Sequence, residues 1–477
     1  MGGCKLRAAG AVLAVVGSLT VSGSAAAFDP ATEAQNFSKT LERQAIYTSP
    51  EGQLLLRQVS TRNEIASVQA QLADPERNFS ANLCARGDDG CAGDPRLYDW
   101  EAKGYGIVRP VLWTARNGAT ISGHVWATQT GPATRPGVVI TNGSVQADEQ
   151  MYWYAAQTLA KAGYVVLTWD PQGQGQSDVA GEGPDAHEGV PAQSDGRPFF
   201  DGTEDALEFF FSTPDRPYVP LPSCETGTSH AAKQDRRAAA GLNAPYNPFA
   251  ALLDPGRVGI AGHSYGAAGV SYIGQWDPRV KAIVAWDNLG PADPGGGGRL
   301  GEQPCPADPS ARTPAALTKP ALGISADYGL PATPNVSDPD PMAKSVQSLA
   351  YSRARVDTGE LIVRGGSHVD FSFIANPAFG ASLRGPDLAA WYTTAWFDKY
   401  VKGDPAADAR LLTSRWRGEG NLFSFYYRSR LDVHRADGTR FTCQDLRAAC
   451  SGMTGQDGYA GSYRYLDVAT RPDAGTG

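Results

Sequence analysis

Past residue 105 the chain alternates short apolar runs, bounded by glycine and proline, with longer stretches whose apolar residues recur near the helical period. Eight runs have the length and composition of strands: Ile107 to Trp113, Thr120 to Ala127, Gly137 to Thr141, Tyr164 to Trp169, Val258 to Gly262, Val280 to Trp286, Pro320 to Ala326 and Glu360 to Arg364. The first two meet at Asn117-Gly118, a pair that tight hairpins favour because both residues accept positive φ. Helices are expected at Gln150 to Ala162, Thr203 to Ser212, Ala267 to Gln275, Ala343 to Arg353 and Asp387 to Val401. Such alternation predicts an α/β fold, a mostly parallel eight-stranded sheet flanked by helices, over residues 106–403. Residues 28–105 are expected to form an N-terminal helical extension. Residues 404–477, rich in Tyr, Arg and Gly, form a C-terminal extension too short to bury much core alone.

The start of the chain changes the picture. Lys5 and Arg7 precede an apolar run from Ala8 to Val21, and Ala25-Ala26-Ala27 offers the small residues a signal peptidase needs, so residues 1–27 are expected to be a secretory signal peptide. No run of about eighteen apolar residues follows, which leaves nothing in the body of the chain to span a bilayer as a helix. An exported, extracellular protein permits disulfides, and six cysteines remain beyond Cys4: Cys84, Cys91, Cys224, Cys305, Cys443 and Cys450. Local closure costs least entropy, so Cys84 with Cys91 and Cys443 with Cys450 are the first expectation, leaving Cys224 for Cys305. No CxxC or HExxH occurs to support a zinc site, and no metal is expected. Lys+Arg 42 against Asp+Glu 50 gives a net charge of -8, so there is no basic field for a nucleic acid.

Candidate chemistry centres on Gly262-His263-Ser264-Tyr265-Gly266, which follows one expected strand directly and opens a helix of small residues. A sharp strand-to-helix turn holds a serine in strained φ/ψ with its hydroxyl exposed, and flanking glycines let the backbones approach. Ser264 then needs a base. Of the six histidines, His124, His187, His230, His263 and His434 have more ordinary readings as packed or solvated side chains. His368 lies in Gly365-Gly366-Ser367-His368 after the eighth strand, at the carboxyl edge where open α/β sheets bind ligands. The carboxylate that fixes its tautomer is expected to be Asp327, at the end of the seventh strand, with Asp287 at the end of the sixth as the alternative acid. The oxyanion donors are expected to be the backbone N–H of Tyr265 and that of Ser144, the latter in Asn142-Gly143-Ser144 after the third strand. Trp169 and Trp286, near strand ends, are candidate walls of a substrate pocket.

These residues, in the order Ser, Asp, His, resemble the α/β-hydrolase superfamily in its secreted bacterial serine-hydrolase form. Asp170-Pro171-Gln172-Gly173-Gln174-Gly175-Gln176-Ser177 is similar to the family's D-x-R-G-x-G-x-S turn, with Gln172 in place of arginine, and Trp396-Phe397 followed by Gly403 resembles its closing helix. Asn142-Gly143 stands where the family usually has His-Gly. The resemblance implies a carboxylic-ester hydrolase that acts through an acyl-enzyme on a small or polymeric ester and requires no cofactor. Peptidase, amidase and acyltransferase activities share this chemistry. A non-catalytic binding protein would be signalled by a missing triad member.

Overall fold

The computed structural model describes residues 49–79, 91–144, 147–186, 196–292, 314–326, 341–363, 366–374, 384–414, 429–446, 450–453 and 455–456. The elements in chain order are α1 (Pro50–Ala73), β1 (Ile107–Thr114), β2 (Thr120–Ala127), β3 (Arg135–Thr141), α2 (Trp153–Lys161), β4 (Val165–Trp169), α3 (Arg197–Phe210), α4 (Ala231–Ala239), β5 (Leu253–His263), α5 (Tyr265–Trp276), β6 (Val280–Trp286), β7 (Ala321–Ala326), α6 (Pro341–Arg353), β8 (Thr358–Val363), α7 (Arg384–Phe397), α8 (Ala407–Leu411), β9 (Thr413–Ser414), β10 (Arg430–His434), β11 (Arg440–Cys443) and β12 (Gly455–Gln456). Each of the eight expected strands is present. They belong to a larger ten-stranded sheet of order β1-β2-β4-β3-β5-β6-β7-β8-β10-β11, and a separate short pair joins β9 to β12.

From β4 through β8 the pairing is parallel. At one edge β1 and β2 add antiparallel strands, and at the other the β10–β11 hairpin pairs antiparallel with β8. Parallel strands with both faces covered carry near-continuous apolar runs, and alternate residues feed two cores. Val138 and Ile140 pack with α2 and α7 on one side, whereas Val139 packs with α3 and α5 on the other. The β10–β11 hairpin of the C-terminal extension is therefore part of the main sheet. Cys443 and Cys450 are bonded, with Cα atoms 5.8 Å apart, at the end of β11. Cys91 and Cys224 are disulfide-bonded too, and Cys84 and Cys305, expected as their partners, lie outside the described residues, as does the expected signal peptide.

Strand order reverses between β3 and β5: the chain steps from β3 outward to β4 and returns to the far side of β3. Loops leaving β3 and β5 thus diverge to opposite sides and open a crevice at the carboxyl edge. Ser264 and the Asn142–Ser144 loop stand there.

Candidate active site

β5 ends at His263, and α5 begins at Tyr265, so the whole reversal falls on Ser264, at φ 57 and ψ -119. A side-chain-bearing residue in this region costs roughly 1–3 kcal/mol, which the surrounding packing must hold. Both flanking glycines are required by close approach. A Cβ on Gly262 would lie 2.4 Å from the Gly266 carbonyl oxygen, and one on Gly266 would lie 2.4 Å from the carbonyl oxygens of Thr141 and Asn142. Those atoms are backbone and cannot swing aside.

The hydroxyl of Ser264 is 2.8 Å from Nε2 of His368, and Nδ1 of His368 is 2.6 Å from Oδ2 of Asp287. An ionised carboxylate can only accept, so Nδ1 carries the proton and Nε2 is left to accept from the serine. Asp287 follows β6 with φ 39, and its side chain is 1% exposed. Its Oδ1 accepts from Nζ of Lys344, 2.7 Å away, and from the Ala326 amide at 3.2 Å. Burial alone would push Asp287 up, but the hydrogen bond from His368 and the charges of Lys344 and His368 outweigh it and hold the group at about 2. The carboxylate at His368 is thus the alternative acid of the sequence reading. Asp327, placed first there, lies outside the described residues.

His263, expected from sequence to be an ordinary packed or solvated side chain, ties three parts of the site together. Its Nε2 lies 2.8 Å from the backbone carbonyl of His368, which can only accept, so Nε2 bears the proton. Nδ1 must then accept from the hydroxyl of Tyr152 at 2.8 Å, and the Tyr152 oxygen accepts from the Gly143 amide at 3.0 Å. Burial, aided by the adjacent His368, pulls His263 down to about 3, so the ring stays neutral and this proton arrangement persists.

The loop after β3 is held against the elbow. A Cβ on Gly143 would fall 3.2 Å from that of Ser264. Because the Gly143 N–H is already given to Tyr152, the next amide, that of Ser144, is the candidate donor toward a developing oxyanion. The other, Tyr265 N–H, opens α5, where first-turn amides have no partner within the helix. The Asp170–Ser177 turn supports this loop from behind. Asp170 accepts from the side chain of Asn142 (3.3 Å) and the amides of Glu149 (2.8 Å) and Gln176 (2.9 Å), while Gln174 donates to the Gly143 carbonyl (2.8 Å). Gly175 sits at φ 46, where a Cβ would meet the Asp170 carboxylate at 2.2 Å.

Neither tryptophan side chain touches Ser264 or His368 in any ring contact or hydrogen bond among the described residues. Trp286 is fully buried, lies parallel to Tyr152 with ring centroids 6.3 Å apart, and donates to Thr393. Trp169 packs on Trp113 and lines a small cavity with Arg116, Gln172 and Asp201, a cavity whose lining includes neither Ser264 nor His368. Strand-end aromatics point into one of two cores here, and the ring near the serine is Tyr265, half-buried and stacked on Phe199. Among the described residues no group of His, Cys, Asp or Glu is arranged to hold a metal ion.

Behind Asp287, Glu360 on β8 is fully buried and accepts a hydrogen bond from Ser325. Burial pushes it from 4.5 up to about 8. Folding therefore takes up a proton between those values, and stability falls as pH rises through that window. Urea midpoints from pH 5 to 8 should decline more steeply in the wild type than in Glu360→Gln, where this contribution is absent. Equal slopes would show that Glu360 ionises in the fold as it does in the unfolded chain. Compared with known proteins, the chain matches no family model and no curated sequence.

Proposed function

We propose that this protein is a secreted serine hydrolase of the α/β-hydrolase type that cleaves carboxylic esters. The observation that carries the reading is the unbroken hydrogen-bonded series Ser264, His368, Asp287 with the serine at an elbow of positive φ. Ser264 Oγ attacks the ester carbonyl while its proton passes to Nε2 of His368. The resulting imidazolium is stabilised by Asp287, and the oxyanion by the amides of Tyr265 and Ser144. Collapse expels the alcohol, which takes the proton from His368 and leaves an acyl-serine. Water, deprotonated by the same imidazole, attacks the acyl-serine, releases the acid and restores Ser264. The chemistry requires no cofactor. Export is supported by the N-terminal pattern and by the Cys443–Cys450 disulfide.

A fluorophosphonate probe should label the purified protein once, at Ser264, with label and p-nitrophenyl ester turnover both lost in Ser264→Ala. Folded protein that takes no label, or label retained in the variant, would remove the hydrolase reading.

A further inference from the structure

Asp287 has two oxygens with different partners. Oδ2 faces His368, and Oδ1 receives an ammonium, Lys344 of α6, at 2.7 Å. The hydrogen-bonding needs of Oδ1 are already partly met by the amide of Ala326 at 3.2 Å, so the lysine adds a charge as well as a donor. That charge sits one carboxylate away from the imidazole that must gain and lose a proton.

We propose that Lys344 is a positioning residue that acts through Asp287, neutralising part of its charge and so extending the working range of the site toward acid pH. This rests on the hydrolase reading above. A carboxylate stabilises the imidazolium, and an ammonium bound to the other oxygen of that carboxylate weakens the stabilisation. The Lys344 side chain is 21% exposed and that of Asp287 is 1% exposed. Solvent reaches the ammonium but not the carboxylate between it and the ring.

The other groups facing this centre do not supply the same effect. His263, at the end of β5, has its ring centroid 4.8 Å from that of His368 and is held neutral by burial. Glu360 of β8 is pushed upward by burial and carries no full charge at neutral pH. Arg430 of β10 is directed to Ser348 and Ser352 of α6 and to Gln444. Asp370, two residues past His368, is buried and accepts from the Ser367 amide.

The test is the pH dependence of kcat/KM for a short p-nitrophenyl ester followed by pH-stat, in the wild type, Lys344→Met and Lys344→Arg. In the methionine variant the acid limb should move up by about one pH unit, the scale expected for one nearby, partly screened charge. Activity on the plateau should stay within a few fold, and the arginine variant, which keeps the charge, should restore the wild-type limb. High salt should move the wild-type limb the same way and leave the methionine variant unmoved. A limb that stays put or moves down in Lys344→Met, or an arginine variant that behaves like methionine, overturns the proposal. Ser264→Ala, run in parallel, separates the two failures: turnover that survives it removes the hydrolase reading itself, whereas turnover lost there with an unmoved limb removes only the role of Lys344.

Discussion

Replacing Asp287 with Asn should lower kcat/KM by about four orders of magnitude with little change in fold. An amide in that position can present a donor to Nδ1 of His368. The ring then settles in the opposite tautomer, with its proton on Nε2 directed at Ser264, and the serine loses its acceptor. Lys344, now opposite a neutral group, adds to the bias against a charged imidazole. Asp327→Asn should cost less than tenfold. The comparison is decisive because the two acids follow neighbouring strands: a collapse in Asp327→Asn with Asp287→Asn nearly intact would return the acid to the end of β7. Circular dichroism and a urea midpoint on each variant separate chemistry from misfolding.

Arg116→Met should destabilise the protein by about 3–5 kcal/mol, the range for removing one partner from a buried charge cluster. Arg116 lies in the β1–β2 turn and is 5% exposed. Its Nε meets Asp205 at 2.8 Å, its Nη2 meets Glu204 at 2.8 Å and the Asp201 carbonyl at 3.1 Å, and its own amide donates to Asp205. Asp201, Glu204 and Asp205 share one face of α3 at helical spacing, so deleting the guanidinium leaves three carboxylates facing one another out of water. Lysine should restore little, since it cannot reproduce a planar fork. Arg109→Ala, which breaks an ion pair exposed on both sides, should fall within about 0.5 kcal/mol and serves as the control. Chemical denaturation reads all three. A midpoint for Arg116→Met equal to that of Arg109→Ala would mean that the cluster contributes no net stability.

Local chemistry was legible in the sequence and long-range choice was not. The parallel strands announced themselves as apolar runs between glycines and prolines, and the elbow as glycines around a serine at a strand end. The preference between Asp287 and Asp327 depended on which loop reaches His368, which no spacing reveals. α4 was missed, inside what was read as a loop, because its buried residues are Lys233, Gln234 and Arg237, and a helix that turns polar side chains inward leaves no apolar period. α3 begins at Arg197, earlier than expected; Pro198 in its first turn was the available signal. β10 escapes a sequence reading although Arg430-Leu431-Asp432-Val433-His434 alternates polar and apolar as a strand does, because a five-residue run with two apolar side chains stands out little from the polar extension around it. The bracing role of His263 came from partners at Tyr152 and His368, both far away in sequence.

The hairpin that pairs with β8 also sets an order of assembly. A chain made from its N-terminal end delivers β8, and soon after it His368, while Arg430 to Cys443 are still to come. Until they arrive, β8 is an outer strand with one row of backbone groups open to any other extended chain. The same late segment that caps this margin is clasped by Cys443–Cys450. A nascent molecule therefore exchanges the open edge of β8, six residues long and buried throughout, for that of β11, four residues long with Arg440 and Thr442 exposed, once this late segment has emerged, and chains interrupted before it keep the stickier edge.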